Sequence, residues 1–320
     1  MSRIFKLPID GLKVGHSIEE TVVTGTTACI FDEPSVAAAH IMGASPGTRE
    51  TELLNPEYAV AKVDAIVLSG GSAFGLDAAG GCQAWLKENN RGIFIDPVHI
   101  PIVPSAILFD LRSPGNKDWG RFSPYRYLGF AAAENATDKV LLGRAGAAFG
   151  ASTANTPGGF GMASAPFAGG HILSMVALNS VGSPLIGDTE HYWAAPFEEQ
   201  DEFGGLGSPI PWPEDAKIGR TKSGQLVAGA NTTLAIIVTD LTLTPSQAKR
   251  VSISAHDGFA RALYPVHTMA DGDLIFTAST GKVELSEDKL LELSVIAANV
   301  TARAIAVAAF EAKKDEASQR

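Results

Sequence analysis

The sequence predicts an α/β fold, on three observations. Short apolar runs of strand type, Ala65-Ile66-Val67-Leu68 and Thr232 to Asp240, are dense enough to be buried on both faces. A helical pattern carrying Leu76, Ala79, Gln83 and Leu86 follows the first run. A helix start, Thr244-Pro245-Ser246-Gln247, follows the second. Buried strands alternating with amphipathic or buried helices are the mark of layered α/β architectures.

In chain order, residues 12 to 31 and 35 to 42 alternate β-branched with small residues, predicting strands joined by Gly, Thr and Pro turns. The run ending at Leu68 stops in Ser69-Gly70-Gly71-Ser72 before the first helix. A strand, a Gly-rich turn and a helix start leave backbone N–H groups aimed at whatever fills the turn. The turn therefore reads either as an anion or oxyanion nest or as tight backbone geometry alone. Pro97 to Pro124 predicts surface loop, interrupted by the apolar run Ile100 to Leu111. Gly143 to Phe167 is rich in Gly, Ala and Ser, which suits a substrate cleft and a tightly packed layer equally. His171 to Leu178 reads as a strand ending at Asn179. Gly187 to Gly224 is acidic and rich in Pro and Gly, so it reads as a long, loosely held loop. The capping box at Thr244 opens a helix to about Leu263, Leu274 to Ser279 reads as a strand, and Ser286-Glu287-Asp288 caps a buried helix through Lys313 with a frayed end beyond.

The 320 residues can bury a large core, and a single domain is expected. A formal net charge of −10 argues against nucleic acid and anionic membrane surfaces as partners. No uninterrupted apolar run reaches the ~18 residues of a membrane span, and the first ten residues lack the apolar core of a signal peptide. Cys29 and Cys82 sit among apolar or small residues and read as buried free thiols. A cytoplasmic protein is expected. The seven histidines show no ligand spacing, so no metal and no other cofactor is expected.

The chemistry is expected where Val227-Ala228-Gly229-Ala230-Asn231 leads into Thr232. Thr232 could attack the Asn231 carbonyl, move the acyl group from nitrogen to oxygen, and let water cut the chain. The new terminus would hold a nucleophile and its own base, because a free α-amine titrates near ~7.7. Taken alone, the segment reads more simply as a loop entering a strand.

Further blocks change that weighting. They are Gly11-Leu12-Lys13-Val14-Gly15-His16, Gly47-Thr48-Arg49-Glu50-Thr51-Glu52, Leu68 to Ala79, Ile102 to Ala106 with Phe109-Asp110-Leu111, Asn179, Asn231-Thr232-Thr233 and Asp271-Gly272-Asp273. Across nearly the whole chain they resemble the L-aminopeptidase/D-esterase family of self-cleaving N-terminal-nucleophile hydrolases, whose relatives include β-peptidyl aminopeptidases and nylon-oligomer hydrolases. The resemblance implies a four-layer αββα sandwich like that of the ornithine acetyltransferases. It implies fragments 1–231 and 232–320, a small peptide or amide substrate, and a homo-oligomer, a tetramer of cleaved protomers. It makes Thr232 the nucleophile, Asn231 the residue that loses its peptide bond, Asn179 an oxyanion donor, and Asp271 with Asp273 the carboxylates that orient the nucleophile. Ser69, Gly70, Gly71, Ser72 and Phe109 would form the substrate and oxyanion loop. Arg49 and Glu50 read as a structural ion pair.

Two positions depart from the pattern. A lysine that nylon-oligomer enzymes carry after the equivalent of Gly143 is replaced by Asn155, and a tyrosine of some members is Phe109 here. These losses favour one rival, an uncut, non-catalytic small-molecule binder. A second rival, an acyltransferase of the ornithine acetyltransferase type, carries an Ala-Thr-Met junction that Asn231-Thr232-Thr233 does not match.

Overall fold

The computed structural model describes residues 3–222 and 231–318. The lead Val227–Ala230 and the last two residues of the Gly187–Gly224 stretch lie outside them. In chain order the first half forms β1 (Ile4–Lys6), β2 (Leu12–Glu19), β3 (Thr24–Ile41), β4 (Thr48–Arg49), β5 (Lys62–Ser69), α1 (Asp77–Glu88), β6 (Ile93–Ile95), β7 (Val98–Ile100), β8 (Ser105–Ile107), α2 (Tyr125–Glu134) and β9 (Lys139–Leu141). The second half forms β10 (Phe160–Phe167), β11 (Gly170–Ala177), β12 (Leu234–Leu241), α3 (Pro245–Ala262), β13 (Leu274–Val283) and α4 (Leu290–Ser318).

Strand β3 carries the architecture. Its first half pairs with β2 and β5, and its second half with β13. Between them lie exposed Asp32, Glu33 and Pro34, where a proline without a ladder donor is tolerated. The two expected sheets are therefore two halves of one nine-stranded sheet, in the order β10-β11-β12-β13-β3-β5-β8-β4 with β2 beside β3. Alternation along the strands sorts side chains between layers. Ala28, Ile30, Ala65 and Val67 face α1 and α2, while Cys29, Phe31, Ile66 and Leu68 face the inner core. On the opposite side α4 covers β10 and β11, and α3 covers β3 and β13. The result is the αββα sandwich.

Small residues set the layer spacing. A Cβ on Gly81 would lie 1.9 Å from the Arg126 carbonyl oxygen, and one on Gly129 would lie 1.9 Å from that of Ala78. Thus α1 and α2 cross at a distance only glycine allows.

The capping box at Thr244 forms as expected, with Gln247 N–H donating to the Thr244 hydroxyl and the Gln247 side chain accepting from the Thr244 N–H. Four expectations change. Residues 97 to 124 are not mere loop, since β8 joins the sheet in parallel beside β5. Helix α2 is a further element, buried through Tyr125, Leu128, Gly129, Ala132 and Ala133. Helix α4 runs on to Ser318 rather than fraying at Lys313, whose ammonium reaches Glu190. It is also long and apolar enough to cross a membrane, but 72% of that window is buried in this fold.

The fourth change concerns the acidic loop, which is packed down. Tyr192, Ala194, Phe203 and Ala216 are buried, and Trp193 packs edge-on against Trp212. The Glu202 carboxylate takes a bidentate grip from Arg303 of α4, at 2.5 and 3.0 Å. Scattered aromatic anchors, rather than periodicity, hold this segment.

Candidate functional site

Three residues at the foot of β12 form the centre of the site. Asn231 bridges in parallel to Asp271 just before the β12–β13 ladder begins at Leu234 and Leu274. The Thr232 hydroxyl lies 2.5 Å from the Asn231 carbonyl oxygen. That oxygen also accepts the Gly272 N–H at 2.9 Å. The Thr232 N–H donates to the Asn179 carbonyl at 2.9 Å, and the Thr233 N–H donates to Asp273 Oδ1 at 2.8 Å. Thr232 is buried, with 2% of its surface exposed. A Cβ on Gly272 would stand 2.7 Å from the Thr232 hydroxyl oxygen, so glycine there makes room for that hydroxyl.

Both carboxylates are buried and fully engaged. Asp271 accepts from Val181 N–H at 3.2 Å, and from the Thr268 N–H and hydroxyl at 2.9 and 2.7 Å. Burial, and then the neighbouring Asp273, push its carboxyl above the usual carboxylate range. Asp273 uses its second oxygen on His267, at 2.8 Å from Nδ1. Sequence reasoning missed His267, although it stands four residues before Asp271. Its ring stacks on Phe259 and meets His256 edge-on, and His256 in turn meets His40. Burial pushes His256 down to about 3, so that ring is neutral, with Nε2 donating to the His40 carbonyl at 3.1 Å.

Asn179 stands beside Thr232, with a side-chain N–H directed to Phe109 and not to the Asn231 carbonyl. Its Oδ1 accepts from Ser152 N–H at 3.2 Å and from the Lys222 ammonium at 2.8 Å. Two donors on one atom fix that atom as the oxygen. The Nδ2 therefore donates to the Phe109 carbonyl, at 3.0 Å. The donor on the junction carbonyl in this structure is Gly272 N–H, and Asn179 contributes through its backbone.

Lys222 is the second group that sequence reasoning missed. The lysine sought after Gly143 is indeed absent. Asn155, in its place, accepts from the Ser183 hydroxyl at 2.7 Å. Lys222 arrives instead from the segment before Asn231 and brings an ammonium to Asn179. Burial pulls its amine down to about 7, against the opposing pull of Asp271 and Asp110. Only the shared destination of two distant segments reveals it, and no motif spacing could have.

These groups border a cleft of about 720 Å³, lined by Phe109, Asp110, Arg112, Arg144, residues 150–157, Asn179, Lys222 and Asn231. The stretch from Gly143 has both readings at once, since residues 150–157 line the cleft while a Cβ on Gly159 would meet the Ala308 carbonyl at 2.4 Å. The cleft reaches Asn231, and Thr232 lies behind it.

The Gly-rich turn is a correction. Its N–H groups are already used, Gly70 on the Gly25 carbonyl, Gly71 on Asp110 and Ser72 on the Leu108 carbonyl. The Ser69 hydroxyl pairs with Thr26 at 2.9 Å. The nest holds an internal carboxylate, Asp110, which also takes the Thr24 hydroxyl at 2.6 Å. Of the expected loop, Phe109 reaches the cleft. Arg49 turns to Gln83 at 2.7 Å rather than to Glu50, so the expected ion pair is not formed.

The same layers occur in solved structures. The L-aminopeptidase D-Ala-esterase/amidase of Ochrobactrum anthropi, described as a variant of the Ntn-hydrolase fold, superposes with a TM-score of 0.71 at 19% identity, over 95% of this chain and 86% of that one. A β-aminopeptidase of Burkholderia sp. gives 0.67 at 18% identity, over 96% and 88%. The sandwich therefore has the Ntn-hydrolase fold. The model of peptidase family S58 matches residues 8–320, and the chain belongs to that family. An uncharacterized aminopeptidase of Mycobacterium leprae is 35% identical over 95% of this chain and 90% of its own length. The 6-aminohexanoate-oligomer endohydrolase of Paenarthrobacter ureafaciens is 25% identical over 88% and 76%. The protein is a hydrolase of this family.

Proposed function

We propose that the chain is the precursor of an aminopeptidase or small-amide hydrolase that activates itself by cutting between Asn231 and Thr232. The observation that carries this reading is the Thr232 hydroxyl, 2.5 Å from the carbonyl oxygen of the peptide unit it would cut. In the first step Thr232 Oγ bonds to the Asn231 carbonyl carbon. Negative charge collects on the oxygen facing Gly272 N–H, as in an oxyanion hole. The C–N bond then breaks, the hydroxyl proton ends on the Thr232 nitrogen, and an ester links the two residues. Water hydrolyses that ester to an Asn231 carboxylate and a free Thr232. Burial of Thr232 behind Asn231 supports this order, because a substrate in the cleft meets Asn231 first.

In turnover the freed α-amine takes the proton from Thr232 Oγ, which attacks the substrate carbonyl. The leaving amine departs protonated, and water releases the acyl group. The relatives named as aminopeptidases favour substrates cut at their N-terminal residue. The uncut-binder rival rested on a missing lysine and a missing tyrosine; Lys222 answers the first, and Phe109 leaves the second standing.

Intact mass spectrometry of purified protein held at neutral pH is the test. Fragments 1–231 and 232–320 are expected from the native chain and from Thr232→Ser, and one intact, inactive chain from Thr232→Ala. Full activity in uncut Thr232→Ala would sink the mechanism.

A further inference from the structure

Two nitrogens converge on one oxygen beside the junction. The carbonyl of Asn179 accepts the Thr232 N–H at 2.9 Å and the Lys222 ammonium at 3.4 Å. Lys222 is held there from two sides, by Asn179 Oδ1 at its head and by the Val181 carbonyl at its own N–H, 3.1 Å away. In the uncut chain the Thr232 nitrogen is an amide and cannot gain a proton at ordinary pH. Cutting turns it into an amine at the same place, with a second amine as its neighbour across a shared acceptor.

We infer that Lys222 is a positioning residue for the reaction, tuning the α-amine of Thr232 so that it is free to act as base at lower pH. This rests on the function proposed above. A like charge a few ångströms away disfavours protonation. Over the range where each amine alone would hold its own proton, the pair holds one between them.

The opposing groups are on every side. Asp271 and Asp273 approach from the lead into β13, with His267 on the far side of Asp273. Asp110, after β8, draws on Lys222 as Asp271 does. Arg112, Arg144 and Glu316 line the outer cleft. Asp271 and Asp273 favour a protonated α-amine, which makes a poor base. Lys222 is the cation that shares the amine's acceptor and offsets them. Lys222 comes from the segment that precedes Asn231 rather than from the glycine-rich wall where Asn155 stands, and both lie on the fragment that would end in the new carboxylate.

The test is the pH dependence of kcat/KM for an aminoacyl p-nitroanilide, for native protein, Lys222→Met and Lys222→Arg, each checked for cleavage by intact mass. The substrate's own amine titrates alike in all three, so differences belong to the enzyme. Lys222→Met should move the acid limb upward by roughly one unit. Lys222→Arg keeps a permanent charge and should hold the limb below the native position. A merely structural lysine would change rates without driving the two limbs apart. Limbs that stay in place, or move the same way in both variants, overturn the inference. If Lys222→Met does not fold or process, Lys222→Arg decides alone, and a limb at or above the native one overturns it. Native protein that is neither cut nor active would instead overturn the function on which the inference rests.

Discussion

The hydroxyl of Thr232 and the N–H of Gly272 meet the same atom, the carbonyl oxygen of Asn231, at 2.5 and 2.9 Å. On the proposed reading, one group becomes the attacking oxygen and the other receives the charge that attack creates. Gly272→Ala tests how tightly this is set, because its methyl would stand 2.7 Å from the Thr232 hydroxyl oxygen and 2.6 Å from the Ser45 carbonyl oxygen. Moving a reacting atom by about an ångström can cost ~10²-fold in rate. We expect self-cleavage, followed on denaturing gels, to slow by about that factor while the circular dichroism spectrum is kept.

Asp273 holds the Thr233 N–H inside a buried site. Asp273→Ala leaves that donor unpaired, which costs about 1–3 kcal/mol. A lower midpoint in urea should accompany slower cleavage. Normal cleavage at an unchanged midpoint would remove the carboxylate from the nucleophile's support.

The half-buried Lys222 makes stability depend on pH. Its amine titrates near 7 in the fold and at its ordinary 10.5 in the unfolded chain. Below 7 both states are charged and the cost of burying the cation is fully present. Between 7 and 10.5 the unfolded chain binds more protons, so stability rises with pH. In uncut Thr232→Ala protein, the melting temperature should climb across this window more steeply with Lys222 than with Lys222→Met. Parallel curves would mean that Lys222 is solvated.

Arg303 and Glu202 are each more than nine-tenths buried at the side chain. Removing one partner of such a pair costs about 3–5 kcal/mol, whereas replacing both by apolar residues is often neutral. Arg303→Ala should lower the melting temperature markedly, and Arg303→Met with Glu202→Leu should restore most of it. Limited proteolysis of residues 187–218 should follow the same order.

Much of the fold was legible because burial leaves a periodic trace. Ala65 to Leu68 and the β12 run announced central strands, and Thr244 announced a helix with its cap. Residues 97 to 124 misled because a three-residue strand such as β8 has no room for a period. The loop from Gly187 misled because its anchors, Tyr192, Phe203 and Glu202, are spaced by tertiary contacts. At the site, Asn231, Thr232, Asn179, Asp271 and Asp273 do come together. Lys222 and His267 were hidden because each joins the site through a contact with a neighbour, Asn179 or Asp273, that only folding supplies. The Gly-rich turn was visible as a nest, but its guest is Asp110, a residue from a different block.

The junction is assembled from pieces that lie far apart in the chain. Asn179 comes from the end of β11, Gly272 and Asp273 from the lead into β13, and β12 itself is laid between a strand that precedes Asn231 and one that follows it. On the proposed reading, a half-made or misassembled chain lacks the geometry to release its own nucleophile. Maturation is then a proof of completed folding, and a cell that holds misfolded copies holds no stray hydrolase with them.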